Sequence, residues 1–220
     1  MKLLIRILLA AFVLAVLPTT EVMAQANRIT GPTGSTPKPP KKKPPKKKWK
    51  YQGAKNEGLI SVQDANGKYG FIDETGKLVI PCQWKNAGYF QNGLANVQDA
   101  NGKYGFIDKT GKVVIPCQWE RAWVFSEGYA LVGDANGKYG FIDKSGKIVI
   151  PCQWNRADSF YEGLAWVADS NWKYGYIDKT GKVVIPCQWK DAGWFFGGSA
   201  FVIDDNGKRH MIDKTGKIIE

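Results

Sequence analysis

The chain has 220 residues, with one His, 4 Cys and 20 Asp+Glu as its reactive side chains. Their spacing limits what chemistry they can do. Cys82, Cys117, Cys152 and Cys187 recur at a step of 35 residues, and none belongs to a Cys-x-x-Cys pair. A zinc site would require four distant segments to converge, and a disulfide would require Cα atoms within about 7 Å. Free thiols at equivalent inward positions are the expectation. Asp64-x-Asn66-Gly67, with copies at Asp99, Asp134 and Asp204, has the opening of a calcium loop without its later acidic ligands, so it reads as a type I′ hairpin turn. The single His210 has no partner pattern and reads as an exposed residue of a terminal unit. There is no Gly-x-Ser-x-Gly elbow and no Gly-rich phosphate loop leading into a helix. The carboxylate repeated from Asp73 to Asp213 is a scaffold feature. The sequence therefore predicts no catalytic residue, no cofactor and no metal site.

Recognition is the chemistry left, and it requires residues that differ between repeats. Trp84, Trp119, Trp154 and Trp189 keep the period and read as packing residues. Trp123, Trp166, Trp172 and Trp194 break it, since the corresponding positions hold Gly88, Asn96, Gly102 and Tyr89. With Tyr129 and Tyr161 they form the candidate ligand surface, whose rings are suited to stacking on sugars or gripping a peptide. The alternative role for these rings is lateral packing of an open β edge.

The elements that must position these rings follow from the repeat. Gly58, Gly93, Gly128, Gly163 and Gly198 also stand 35 residues apart. Within one unit, Leu94–Val97 reads as a strand, Asn101-Gly102 as a turn and Tyr104–Asp108 as a second strand. A third strand, Val113–Ile115, should end at Pro116, and a less regular segment from Trp119 to Glu127 leads to the next unit. The expected fold class is all-β: five three-stranded β-meanders occupying 49–220, with units near 49–83, 84–118, 119–153, 154–188 and 189–220. Each is too small to bury a core alone and must stack on its neighbours. An open twisted array is expected, with a closed five-bladed propeller as the alternative.

Residues 1–24 read as a signal peptide: Lys2 and Arg6 precede an apolar run, Ile7 to Leu17, too short to span a bilayer, and Val22-Met23-Ala24 offers a cleavage site. Residues 25–48 read as a Pro/Lys-rich linker. The net charge of +11 is concentrated there: residues 25–50 carry nine positive charges and no acid. Taking these and the signal's +1 from the total leaves +1 for residues 51–220. The basic character is thus a property of the linker, where Lys41, Lys42, Lys43, Lys46, Lys47 and Lys48 form an electrostatic stalk able to adhere to anionic envelope material. Export to the periplasm, the cell surface or the medium makes intracellular nucleic acid an unexpected partner, and no membrane span is expected in the mature protein.

The run Lys103-Tyr104-Gly105-Phe106-Ile107-Asp108-Lys109-Thr110-Gly111-Lys112-Val113-Val114-Ile115-Pro116, followed by Phe125 to Gly128, resembles the bacterial WG-containing repeat. The resemblance covers residues 49–220. Two departures stand out: Tyr69, Tyr104, Tyr139 and Tyr174 replace the family's Trp, and Arg209-His210-Met211 replaces Tyr-Gly-Phe. The resemblance implies a secreted or surface-associated binding or scaffold role and no particular enzymatic activity. The combined expectation is an exported noncatalytic protein of the cell envelope that binds a protein or a glycan. The alternatives are an adhesin in which only the stalk binds and a glycan hydrolase, which would need a desolvated carboxylate pair at a unit junction.

Overall fold

The computed structural model describes residues 49–219. They belong to the compact unit Pro45–Glu220. The signal peptide, the linker and its six stalk lysines lie outside the described residues.

Among the described residues, nineteen strands form five antiparallel sheets. The first holds β1 (Tyr51–Asn56), β2 (Leu59–Gln63), β3 (Tyr69–Asp73) and β4 (Leu78–Trp84). The second holds β5 (Asn86–Ala87), β6 (Leu94–Gln98), β7 (Tyr104–Asp108) and β8 (Val113–Trp119). The third holds β9 (Arg121–Ala122), β10 (Tyr129–Gly133), β11 (Tyr139–Asp143) and β12 (Ile148–Trp154). The fourth holds β13 (Arg156–Ala157), β14 (Leu164–Ala168), β15 (Tyr174–Asp178) and β16 (Val183–Trp189). The fifth holds β17 (Asp191–Ala192), β18 (Ser199–Ile203) and β19 (Arg209–Asp213). Strands follow one another in chain order within each sheet, and no strand of the first pairs with the fifth among the described residues. The fold is all-β, repeats every 35 residues or so, and is open.

Three local features differ from the sequence expectation. The irregular segment after Trp84, Trp119, Trp154 and Trp189 contributes a two-residue edge strand, and that after Trp49 the six-residue β1, so the complete sheets have four strands. The third predicted strand does not stop at Pro116. It continues to Trp119, because this is an edge strand whose register shifts between Tyr104 and Phe106, where a missing N–H breaks no ladder bond. The hairpin turn is not type I′ either. Gly102 N donates to Asp99 O, so the turn centres on Ala100 and Asn101, and positive φ falls on Gly102 (85°) but not on Asn101. In the equivalent first turn, Asp64 Oδ1 accepts from both Asn66 N and Lys68 N at 2.9 Å, which holds the chain in a type I turn closed by a left-handed Gly. Each Asp that resembled a calcium ligand has its Oδ1 committed to backbone N–H groups of its own turn.

The core lies between successive sheets. Phe71, Ile80 and Trp84 of the first meet Phe90, Val97 and Ile107 of the second, and the pattern recurs at each junction. One aromatic pair marks every joint: Phe71–Phe90 at 4.8 Å, Phe106–Phe125 at 4.9 Å, Phe141–Phe160 at 4.7 Å and Tyr176–Phe195 at 4.9 Å. Such pairs contribute about 0.5–1.5 kcal/mol beyond their buried area. The periodic Trp84, Trp119 and Trp189 are buried in these cores, and Trp154 is partly buried. No disulfide joins the four cysteines among the described residues, and they are half-buried rather than buried, because they lie on the edge strands.

Candidate functional site

Two positions in each sheet vary between repeats and stand opposite each other on adjacent strands. At one position the five sheets carry Ser61, Asn96, Leu131, Trp166 and Phe201; opposite stand Gly53, Gly88, Trp123, Asp158 and Gly193. The strands bring the two series face to face: Gly88 N donates to Asn96 O at 2.9 Å, Trp123 N to Leu131 O at 3.0 Å and Gly193 N to Phe201 O at 2.9 Å. Where one member is Gly, its partner lies over it. A Cβ added to Gly88 would sit 2.0 Å from Asn96 Oδ1, and one added to Gly193 would sit 2.3 Å from Phe201 Cε1. The first two sheets carry Gly opposite Ser or Asn at these positions, while Trp166 and Phe201 occupy the same position in the last two sheets.

The opening between the second and third sheets is a cleft of about 580 Å³. Asn86, Asn96, Gln98 and Glu120 supply its hydrogen-bonding groups, Tyr104 and Trp123 its aromatic walls. Asn96 Nδ2 donates to Ala122 O at 2.8 Å, tying the two sheets together across the cleft floor. Lys103 pairs with Glu120 at the rim. Arg121 donates to the Tyr139 hydroxyl and lies 6.0 Å from its ring centroid, and Trp123 stands 5.8 Å from that ring on the same wall. A second cleft of about 350 Å³ between the first and second sheets is lined by Tyr51, Ser61, Tyr69, Asn86, Gly88 and Tyr89.

Of the aromatic residues singled out in the sequence, only Trp123 lines the central cleft. Tyr129 packs inward, 5.6 Å from Phe160, and belongs to a core. Trp166 packs 5.4 Å from Tyr174. Tyr161 and Trp194 pair at 5.9 Å, and Trp194 joins Phe196, Phe201 and Arg209 around a separate cleft on the fifth sheet. Trp172 stands on the β14–β15 turn, 57% exposed. The six therefore do not form one surface. The lining outside the sequence expectation is Asn86, Asn96, Gln98, Tyr104, Glu120 and Arg121, and its one mark in the sequence is that positions 88 and 96 vary between repeats.

The carboxylates with displaced pKa values all move downward. Hydroxyls and backbone N–H groups do this at the turns, where Thr110 Oγ1 donates to Asp108 at 2.6 Å and Ser145 Oγ to Asp143 at 2.6 Å. Burial raises the Glu57 and Glu127 carboxyls, but Lys109 and Gly93 outweigh it at the first, and Lys179 and Gly163 at the second. These groups are fixed anionic acceptors of the scaffold. A general acid would need a pKa displaced the other way. His210 Nε2 lies 3.0 Å from Asp204 Oδ2, with its ring against Trp189, so it is half-buried and partnered rather than the exposed residue expected. Among the described residues no group of three or more His, Cys, Asp or Glu is placed to hold a metal ion. No helix among them is long and apolar enough to cross a membrane.

The family described as "WG containing repeat" matches residues 69–104, 104–139, 139–170 and 174–208, which is more than half of the chain. The chain belongs to the WG-containing repeat family. Each family match runs from the Tyr of one Tyr-Gly pair to about the next, and the structure explains the Gly of that WG position. A Cβ on Gly105 would meet Ile115 O at 2.5 Å and Cys117 N at 2.7 Å, because β8 crosses directly over it. The aromatic before it pairs with the Trp of the crossing strand, Tyr104 with Trp119, and also walls the cleft, so one WG-repeat residue serves both fold and site.

No curated protein matches this WG-repeat chain. Among solved structures it is similar to the computationally designed Ika8 protein, at 12% identity and a TM-score of 0.50, over 77% of this chain and 60% of that one. It is also similar to BamB from Moraxella catarrhalis, at 14% identity and a TM-score of 0.47, over 77% and 62% of the two chains. A third likeness is to the WD40 beta propeller domain of Doa1, at 12% identity and a TM-score of 0.42, over 77% and 66%. The chain thus spans about six-tenths of the length of the designed protein, and that likeness concerns the fold alone.

Proposed function

We propose that this WG-repeat protein is an exported, noncatalytic binder of cell-envelope glycan. The observation that carries the reading is the central cleft, in which the planar rings of Tyr104 and Trp123 face a lining of carboxamides, Glu120 and Arg121. A sugar ring presents an apolar C–H face and a girdle of hydroxyls, and this combination of flat aromatic and fixed polar groups meets both. Export rests on the N-terminal basic and apolar segments. The basic residues 25–50 support a second, unspecific contact to anionic envelope polymers that salt would weaken steeply.

The test is retention of the mature protein on purified peptidoglycan sacculi, with and without residues 27–48, at low and raised salt. Retention of the shortened protein that survives salt and falls about tenfold or more in Trp123→Ala is expected. Loss of all retention on removing the stalk would assign binding to the stalk and overturn the glycan reading of the repeats.

A further inference from the structure

The cleft between the second and third sheets does not stand alone. Asn86, Ala87 and Gly88 line both it and the cleft before it. Glu120 and Arg121 likewise line both it and a third, smaller chamber of about 210 Å³ bounded by the β10–β11 hairpin. The partition between the first two chambers is only the short strand β5 and the residue after it, and two of its three side chains are Ala and Gly. Each of the two larger chambers is by itself within the range of roughly 300–1,000 Å³ typical of small-ligand sites. A compact ligand would need one of them. Three in a row, sharing low partitions and each walled by a Tyr at the same repeat position (Tyr69, Tyr104, Tyr139), suit a ligand that itself repeats.

Resting on the glycan reading above, we infer that the first three sheets form one continuous groove for a linear glycan strand, which occupies successive chambers with successive sugars. Each further chamber engaged by the same strand is reached intramolecularly, so affinity rises with strand length without any chamber binding tightly alone. The direction along the array is set by what replaces Ser61 and Asn96: Leu131 in the third sheet, then Trp166 and Phe201. The groove accordingly belongs to the N-terminal part of the array and not to all five repeats.

The experiment is calorimetric titration of the mature protein with peptide-free glycan strands released from peptidoglycan, from the disaccharide through strands of graded length. The expected result is an affinity gain of about tenfold or more between the disaccharide and strands long enough to leave one chamber, followed by a plateau. Gly53→Trp, which places in the first chamber the residue found naturally at position 123, should reduce the affinity for long strands by a larger factor than that for the disaccharide, which still has the central chamber. Ser61→Trp, which copies the residue found at position 166, is the companion should Gly53→Trp fail to fold. Equal affinity for short and long strands, or a length dependence untouched by both substitutions, would overturn the groove. Absence of binding by strands of every length would instead overturn the glycan reading itself.

Discussion

Glu127 reaches from the loop before β10 into the next sheet, where its Oε2 accepts the backbone N–H of Gly163 at 3.0 Å. The same oxygen lies 3.1 Å from Lys179 Nζ, so one carboxylate joins two separate segments of the neighbouring sheet. Glu57 does the same with Gly93 and Lys109, and Glu162 with Gly198 and Lys214. The joint between the second and third sheets lacks this staple. There Asn92 donates to Phe125 O at 3.1 Å, and Lys144 turns to the Asn92 carbonyl. The joint that forms the central cleft thus has no carboxylate at this position, and its ion pair is Lys103 with Glu120 at the cleft rim. Glu127→Ala should remove about 1 kcal/mol of stability, the range for a partly exposed charge-assisted bond, and lower Tm by about 2–4 °C. Thermal unfolding followed by near-ultraviolet circular dichroism measures it, and an unchanged Tm would show the staple to be idle.

These three carboxylates also fix a pH dependence. The Lys109, Lys179 and Lys214 partners and the backbone N–H groups hold Glu57, Glu127 and Glu162 below the ordinary Glu value, against the opposing effect of burial. A carboxyl whose folded pKa is depressed contributes stability that is present above its unfolded pKa and lost as pH falls through the folded one. The triple variant with Gln at the three positions should therefore be less stable than the parent at pH 7. The gap should close as pH drops below about 4.3. A gap that stays constant down to pH 3 would show that charge is not what the staples supply.

The WG-position Gly105 and His210 give a paired test of the crossing strand. Gly105→Ala places a methyl 2.5 Å from Ile115 O, where only backbone stands to yield. The cost should be about 1–3 kcal/mol or more, the range for overpacking. At the equivalent position of the fifth sheet the chain already carries His210, and no strand crosses over it among the described residues. His210→Ala should cost less, chiefly the contact to Asp204. Comparable losses in the two variants would refute the steric account.

The period, the strands and the buried Phe90, Phe125 and Phe160 are legible from spacing, because every unit meets the same neighbour and so needs the same side chain. The turn type is not, because the Asn-Gly pair outweighs the Asp before it in a sequence reading, whereas in the fold that carboxylate captures two N–H groups and shifts the turn by one residue. The site is displaced from its expected place because large aromatic residues draw attention, whereas a cleft is made where side chains are small. Asn96 over Gly88 is legible only once the cross-strand register is known. Tyr104 is periodic and so reads as scaffold, although a scaffold residue can also be a wall of the cleft.

The thiols offer a fourth measurement. Burial, and then the nearby Asp134 and Asp169, push Cys152 and Cys187 up to about 11. At pH 8 only about one in a thousand of such thiols is ionised, and the thiolate is the reactive form. Alkylation of these two residues by iodoacetamide should be of order a hundredfold slower in the native protein than in denaturant, where the ordinary value near 8.5 returns. Peptide mapping after timed labelling reads each site separately. Equal rates in both states would contradict the raised values.

The last prediction concerns backbone strain. Trp172 has φ of +60°, a left-handed conformation that Gly67, Gly102, Gly137 and Gly207 adopt in the other four turns. The turn keeps its bonds, Trp172 N to Asp169 O at 3.1 Å and Lys173 N to Asp169 Oδ1 at 3.0 Å, so the strain is borne locally by a side chain that is 57% exposed. Left-handed geometry costs a non-Gly residue about 1–2 kcal/mol, and an exposed indole recovers little of it by packing. Trp172→Gly should therefore raise stability by about 1 kcal/mol and leave glycan binding unchanged, because the turn belongs to the fourth sheet and the groove to the first three. Trp123→Ala should show the reverse, with weaker binding and little change in Tm, since its ring is 39% exposed on the cleft wall. If Trp172→Gly weakened glycan binding as much as Trp123→Ala, the binding surface would extend beyond the groove to the β14–β15 turn.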